Sequence, residues 1–301
     1  MARFVVSSYG VTTNSLSLLE IDFERNKYAF LKNYNLFTPS FVIADYKYIF
    51  TFSKNPLKLI AYDYNLNLID EIEINLLSST HLCYNSNNNT LYGASYLDGA
   101  LYSVVFKNNK FSNLNIKRIE NSKCHCVTLF KNNEIICTDI NNDALYVYDE
   151  YLNFLEVYHL DKGSGPRHTI VTSKNIFVIC EYTNEVYMLN YDGKILSKCL
   201  STYESSNGAT LFALLDKIYV SNRLNEKEST VSVFSTDNKL ELVSEFSIYG
   251  KNSRHMIRTN DGKYLLSCNL DSNNITIVDI VKKELVLTIP YQKASCICEI
   301  K

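Results

Sequence analysis

The residues of this chain best suited to chemistry sit at the ends of short apolar segments. Glu181 closes the run Val178-Ile179-Cys180, Arg223 closes Tyr219-Val220-Ser221-Asn222, and Arg167-His168 follows the turn Gly165-Pro166. His81, Lys123-Cys124-His125 and Ser253-Arg254-His255 stand at the start of other such segments. Carboxylates and imidazoles are the usual side chains for proton transfer near neutral pH. Guanidinium forks suit phosphate and carboxylate oxygens, or an oxyanion formed during reaction. His125 and Glu181 are therefore the candidate acid and base, in an order the sequence leaves open. Burial would raise the pKa of Glu181 and a nearby Arg would lower it. Arg167 and Arg223 are candidates for the oxyanion or for an anionic tail, and His81, His168 and Arg254 for further substrate contacts.

A bland reading competes at several of these positions. A lone His at a strand start is more often a hydrogen-bonded structural group, and His81, His168 and His255 recur at one phase, as strand caps or inter-segment bonds would. Arg254 also fits an ordinary salt bridge. Asp139 and Asp143 read as turn organisers through Asx bonding. Glu181 and Arg223 resist the bland reading most, because a buried ion is costly unless paired or used. His159 follows an outer segment and receives no role. No H-x-H, H-x-x-x-H or carboxylate cluster occurs, so no metal or other cofactor is expected. Gly163-Ser164-Gly165 reads as a turn without a following helix to cradle phosphate.

The elements that must position these residues repeat. Phe41, His81, His125, His168, Leu211, His255 and Cys298 each open a short apolar segment, at gaps of 40, 44, 43, 43, 44 and 43 residues. After His125 come Cys126–Phe130, Glu134–Thr138, Ala144–Tyr148 and Phe154–Leu160, four strand-like runs joined by Asn/Asp-rich turns. The unit from His255 repeats the pattern. Four strands every 43 residues is the period of a β-propeller, here with seven blades. The terminal segment Ser295–Ile300 has the character of an innermost strand with nothing after it. The first three segments, around Phe4, Leu18 and Phe30, lack one. A blade assembled from both termini would close the ring and remove its edges. The expectation is one all-β propeller domain over residues 1–301.

Composition agrees. There are 23 Tyr and 15 Phe, both strand formers, but only 9 Gly and 4 Pro, which leaves turns to Asn and Asp. A formal charge of −2 argues against bulk nucleic-acid or polybasic membrane binding. The nine Cys are mostly inside apolar runs and fit a reducing compartment as small buried hydrophobes. The N-terminus is too short and polar for a signal peptide, and no apolar run approaches a membrane span. With Trp absent, the tryptophan–aspartate signature of WD repeats is absent too, and the paired glycines of kelch repeats are missing.

On its motifs the chain resembles the seven-bladed β-propeller lactonases. That family includes 6-phosphogluconolactonase and is related to the enzymes that lactonise carboxymuconate. Gly165-Pro166-Arg167-His168 matches its G-P-R-H turn, Glu181 a strand ending in Glu, and Tyr219-Val220-Ser221-Asn222-Arg223 its Y-V-S-N-R. Asp139-Ile140-Asn141-Asn142-Asp143 is similar to D-L-G-x-D, and Ser95-Tyr96-Leu97-Asp98-Gly99 to N-Y-x-x-G. The family's H-P-H becomes Lys123-Cys124-His125, Asn141 replaces a Gly, and a Glu of an early blade is replaced within Thr51-Phe52-Ser53-Lys54. These departures bear on substrate more than on fold.

The resemblance implies a cytoplasmic hydrolase of an anionic sugar lactone, 6-phosphogluconolactone of the pentose phosphate pathway foremost, with His125, Glu181, Arg167 and Arg223 at its centre. The partner would be a small anionic substrate, with no nucleic acid and no membrane. A cycloisomerase of the carboxymuconate type and a non-catalytic binding propeller are the alternatives. Convergence of those four residues on one small pocket would favour catalysis. Dispersal, or mutual salt bridges, would favour the binding module.

Overall fold

The computed structural model describes residues 1–10, 14–45 and 47–300. The alternation of short apolar runs and Asn/Asp turns folds into seven four-stranded antiparallel sheets. The one helical turn among the described residues is the 3-10 segment Lys131–Asn133. Each sheet is one blade. The innermost strands are Val42–Asp45, His81–Asn85, Cys124–Leu129, Pro166–Val171, Ser206–Leu214, Ser253–Arg258 and Ala294–Ile300. Each packs on the next, and contact between Ala294–Ile300 and Val42–Asp45 completes the circle. The closing blade combines both termini. Ala294–Ile300 pairs with Ala2–Ser8, with Val5 opposite Cys298 and Val6 opposite Ile297, and Leu16–Asp22 and Lys27–Tyr34 follow outward.

Burial follows position in the blade. A middle strand is covered on both faces by neighbouring blades, so it is apolar throughout, as in Ile176–Cys180, where every residue is buried. An outer strand meets solvent and alternates, as in Ile195–Leu200. The turns use the residues that tolerate a left-handed backbone. Asn89, Asn108, Asn109, Asn132, Asn133 and Asp143 all have positive φ, at the clusters that stood in for glycine. All nine Cys are free thiols.

The repeat phase has a direct structural meaning. Six of the seven anchor residues lie within the innermost strands, and Phe41 immediately precedes the remaining one. The 43-residue period therefore marks the central axis.

Ile297, fully buried in the closing strand beside Phe4 and Val6, tests this architecture. Ile297→Ala should cost about 2–5 kcal/mol in urea unfolding. The chemically similar change Leu196→Ala, on an outer strand where Leu196 is 46% exposed, should cost under about 0.5 kcal/mol. Equal costs would contradict closure through the C-terminal strand.

Candidate active site

Two kinds of position meet at one end of the axis. The inner strands contribute His125, Arg167, His168, Arg254 and His255 to a cavity of about 330 Å³. The residue that follows a second strand contributes four more. Tyr9 follows Ala2–Ser8, Lys54 follows Tyr48–Ser53, Tyr96 follows Thr90–Ser95 and Glu181 follows Ile176–Cys180, and all four line the cavity. Arg223 occupies the equivalent place in its blade, but stands behind Glu181 and is not part of the lining. His81 also lies outside the lining.

Glu181 is the hub. Its Oε2 is 3.1 Å from Arg167 Nε, and its Oε1 is 3.1 Å from Arg223 Nη2. The first contact is electrostatic and lies off the hydrogen-bond axis; the second is a direct donation. The side chains of Arg167 and Arg223 are only 3% and 10% exposed. Further N–H groups of both go to backbone carbonyls of Ser206–Leu214, the inner strand of Arg223's own blade and of the blade next to Arg167. Arg167 Nη1 donates to Ala209 O, Arg223 Nε to Asn207 O at 3.3 Å, and Arg223 Nη2 to Gly208 O at 3.0 Å. The backbone of Glu181 is fixed as well, its N–H donating to Gly165 O and its carbonyl accepting from Asn207 Nδ2. Asp143 holds the turn ahead of Arg167 by accepting from the Gly163 and Gly165 N–H groups. Asp139 does the same for Lys123 and Asn141. Asp139 matches the Asx expectation; Asp143 organises a turn twenty residues on instead of its own.

Burial alone would raise the Glu181 pKa. The charges of Arg167, Arg223 and Arg254 outweigh burial and hold it below its ordinary value, so the carboxyl is ionised at neutral pH. Burial and the two other guanidinium charges pull Arg167 down to about 9.

The axis itself is a stack of rings. Phe41 lies 4.2 Å from His81 and 5.5 Å from His255, and His168 lies 5.2 Å from both His81 and His125, centroid to centroid. All four of these histidines are neutral. Burial dominates, aided by neighbouring cationic groups, and takes His81 to about 3, His255 to about 4, and His125 and His168 well below their ordinary value. His81 and His255 accept long backbone N–H contacts, both 3.5 Å, from Val127 and Ile297 of the following blade. That is the inter-segment bonding expected of a structural histidine. His125 differs, because its Nδ1 is buried with no partner among the described residues.

Sequence reasoning did not single out Tyr9, Lys54 or Tyr96 as site residues. A signal was present: they occupy the second-strand position already recognised through Glu181 and Arg223. Tyr9 Oη accepts from Arg254 Nη2 at 3.1 Å, and the guanidinium lies over its ring at 5.7 Å. His81, Cys126 and His168 also come together, their ligand atoms within 4.8 Å of one another. Their origin in three blades hid this from any spacing rule. Ligands around a tetrahedral zinc stand about 3.4 Å apart, and the adjacent Arg167 charge opposes a cation there, so this group does not fit a metal as it stands.

Comparison with known proteins agrees with this fold. Residues 3–296 match the family model described as lactonase, 7-bladed beta-propeller. A curated 6-phosphogluconolactonase of Bacillus subtilis is 23% identical over 175 residues, 53% of this chain and 50% of that one. The chain spans about half the length of the curated relatives it matches. Among solved structures, a candidate 6-phosphogluconolactonase of Bacteroides fragilis superposes with a TM-score of 0.88 at 20% identity, covering 100% of this chain and 98% of that one. The periplasmic gluconolactonase of Pseudomonas aeruginosa gives 0.87 at 14%, covering 100% and 99%. At such identities these two structures bear on fold alone.

Two outcomes follow from this geometry. A Cβ on Gly208 would stand 2.5 Å from the Cys180 carbonyl oxygen, beside the Arg223–Glu181 contact. Gly208→Ala should therefore force the two blades apart, cost about 1–3 kcal/mol by thermal unfolding, and weaken ligand binding with it. An unchanged melting temperature would contradict the packing. The second outcome concerns pH. The folded histidines have pKa values below the unfolded value of about 6.5. The unfolded state thus binds more protons, and stability falls as pH drops from about 6.5 toward about 4, by up to ~1.4 kcal/mol per pH unit for each histidine. Urea midpoints at steps from about pH 7 to about pH 5 should show this slope, and His81→Gln should flatten it. An unaltered slope would refute neutral burial of His81.

Proposed function

The chain belongs to the seven-bladed β-propeller lactonase family, and from that membership we propose that it hydrolyses a small anionic sugar lactone, 6-phosphogluconolactone of the pentose phosphate pathway first, in the cytoplasm. The observation that carries the reading is the charge of the cavity. Arg167, Arg254 and Lys54 in its lining, with Arg223 behind, face one carboxylate, Glu181. Arg254 and Lys54 have no carboxylate within 4.0 Å among the described residues, so the excess positive charge is free for a ligand. The volume suits a single small molecule.

In this reading Arg254 and Lys54 hold the anionic tail. Water attacks the lactone carbonyl, and neutral His125 accepts its proton. Arg167, kept in place by Glu181 and the Ala209 carbonyl, donates to the oxyanion that forms. Arg223 acts through Glu181 and is a positioning residue. His168 and His255 form the wall, and His81 supports it. The double pairing of Glu181 is what favours the alternative, a non-catalytic binding propeller, because a carboxylate engaged on both oxygens is a poor base.

The test is hydrolysis of freshly generated 6-phosphogluconolactone at near-neutral pH, corrected for the spontaneous rate. Wild type should accelerate it, and folded His125→Ala should lose about 10²–10⁴-fold in kcat. Glu181→Gln should lose activity by releasing Arg167. No acceleration by wild type would sink the reading, and tight binding of the lactone without turnover would establish the binding module instead.

A further inference from the structure

At neutral pH both titratable candidates at the cavity are proton acceptors. Glu181 is ionised between two guanidinium groups, and His125 is a neutral imidazole. Lactone opening also needs a proton for the leaving oxygen, and in the resting site neither residue carries an acidic one. Resting on the lactonase reading, we propose that Tyr9 is the proton donor to the leaving ring oxygen, with Arg254 holding the phenolate that results.

The hydrogen-bond count carries this. Tyr9 Oη accepts from Arg254 Nη2 at 3.1 Å, so its own O–H is not used in that contact. No other hydrogen bond of that hydroxyl occurs among the described residues, and Tyr9 lines the cavity. Its neighbours favour loss of the proton. Arg254 comes from the inner strand Ser253–Arg258, Arg167 from Pro166–Val171 and Lys54 from the turn after Tyr48–Ser53. Burial would raise the phenol pKa, but these three charges and the Arg254 hydrogen bond outweigh it and lower it below the ordinary value. Lys54 is the rival donor, since burial lowers its ammonium pKa too. Among the described residues its ammonium has no hydrogen bond to fix it, whereas the Tyr9 hydroxyl is held by Arg254.

The step balances without a co-reactant. The water oxygen bonds to the carbonyl carbon, and one of its protons passes to His125. The carbon–oxygen ring bond then breaks, its electron pair leaves on the ring oxygen, and the Tyr9 proton goes to that oxygen. The imidazolium of His125 returns a proton to the Tyr9 phenolate through solvent. One lactone and one water become one hydroxy acid.

The experiment exploits the leaving group. A sugar lactone expels an alkoxide, which needs a proton; an aryl lactone such as dihydrocoumarin expels a phenoxide, which does not. Tyr9→Phe, with an unchanged melting temperature, should lower kcat about 100-fold or more on the sugar lactone and under about 3-fold on the aryl lactone. It should also remove the alkaline limb of the pH profile. Equal losses on both substrates would overturn the proposal, as would a leaving-group-dependent loss confined to Lys54→Gln. Resting protein gives a readout without turnover. The tyrosinate absorbance difference between wild type and Tyr9→Phe should titrate below the ordinary value of about 10, and titration above it would overturn the assignment. If wild type opens neither lactone, the lactonase reading itself fails, an outcome distinct from a wild type that works and a Tyr9→Phe that works equally well.

Discussion

A carboxylate stays ionised at the centre of stacked sheets only when cations stand beside it. Glu181 meets that condition through Arg167 in its own blade and Arg223 in the next. Removing one partner of such a buried pair commonly costs about 3–5 kcal/mol, because the other charge is stranded. Everything around the cluster serves that geometry. Backbone carbonyls of Asn207, Gly208 and Ala209 take up the outer guanidinium N–H groups. That is possible only because Gly208 lets its strand approach the Cys180 carbonyl closely. The ion cluster thus ties two blades together at the position where a ligand would sit.

The propeller supplies equivalent positions by symmetry, and the sequence spends each differently. The place at the end of the second strand holds Tyr9, Lys54, Tyr96, Ile140, Glu181, Arg223 and Leu270 around the ring. The two aliphatic members and the two tyrosines leave the charge on the adjacent pair Glu181 and Arg223 and, across the ring, on Lys54. Five of the seven inner-strand anchor positions are spent on rings, Phe41 and four histidines. A structural repeat therefore becomes an asymmetric site without any change of backbone plan.

This explains what was legible in the amino-acid sequence. The blade count and the closure of the ring followed from the period and from the incomplete first and last units, since both reflect local strand and turn chemistry. Glu181 and Arg223 could be singled out because a charge closing an apolar run is conspicuous, and Arg167 and His125 because they open such runs within motifs that resemble the family's. Tyr9, Lys54 and Tyr96 were not, because tyrosine is abundant here and a lysine at a turn is unremarkable by itself. Only their shared place in the blade distinguishes them. The pairing of Glu181 with Arg223, and the offset of His81 from the cavity, depend on how neighbouring blades pack, which no single repeat contains.

The histidine axis has an electrostatic consequence for the site above it. Four neutral imidazoles and Phe41 form a floor of low polarity beneath three guanidinium groups. A proton on any of these rings would add to an already cationic centre, and the same repulsion helps to keep the rings neutral. A floor that carries no charge neither screens the arginines nor competes for an anion. The field of Arg167 and Arg254 is then directed toward the cavity, where a bound anion and a forming oxyanion both benefit. The rings that appear in sequence as a repeated structural cap thus help to set the strength of the charges they support.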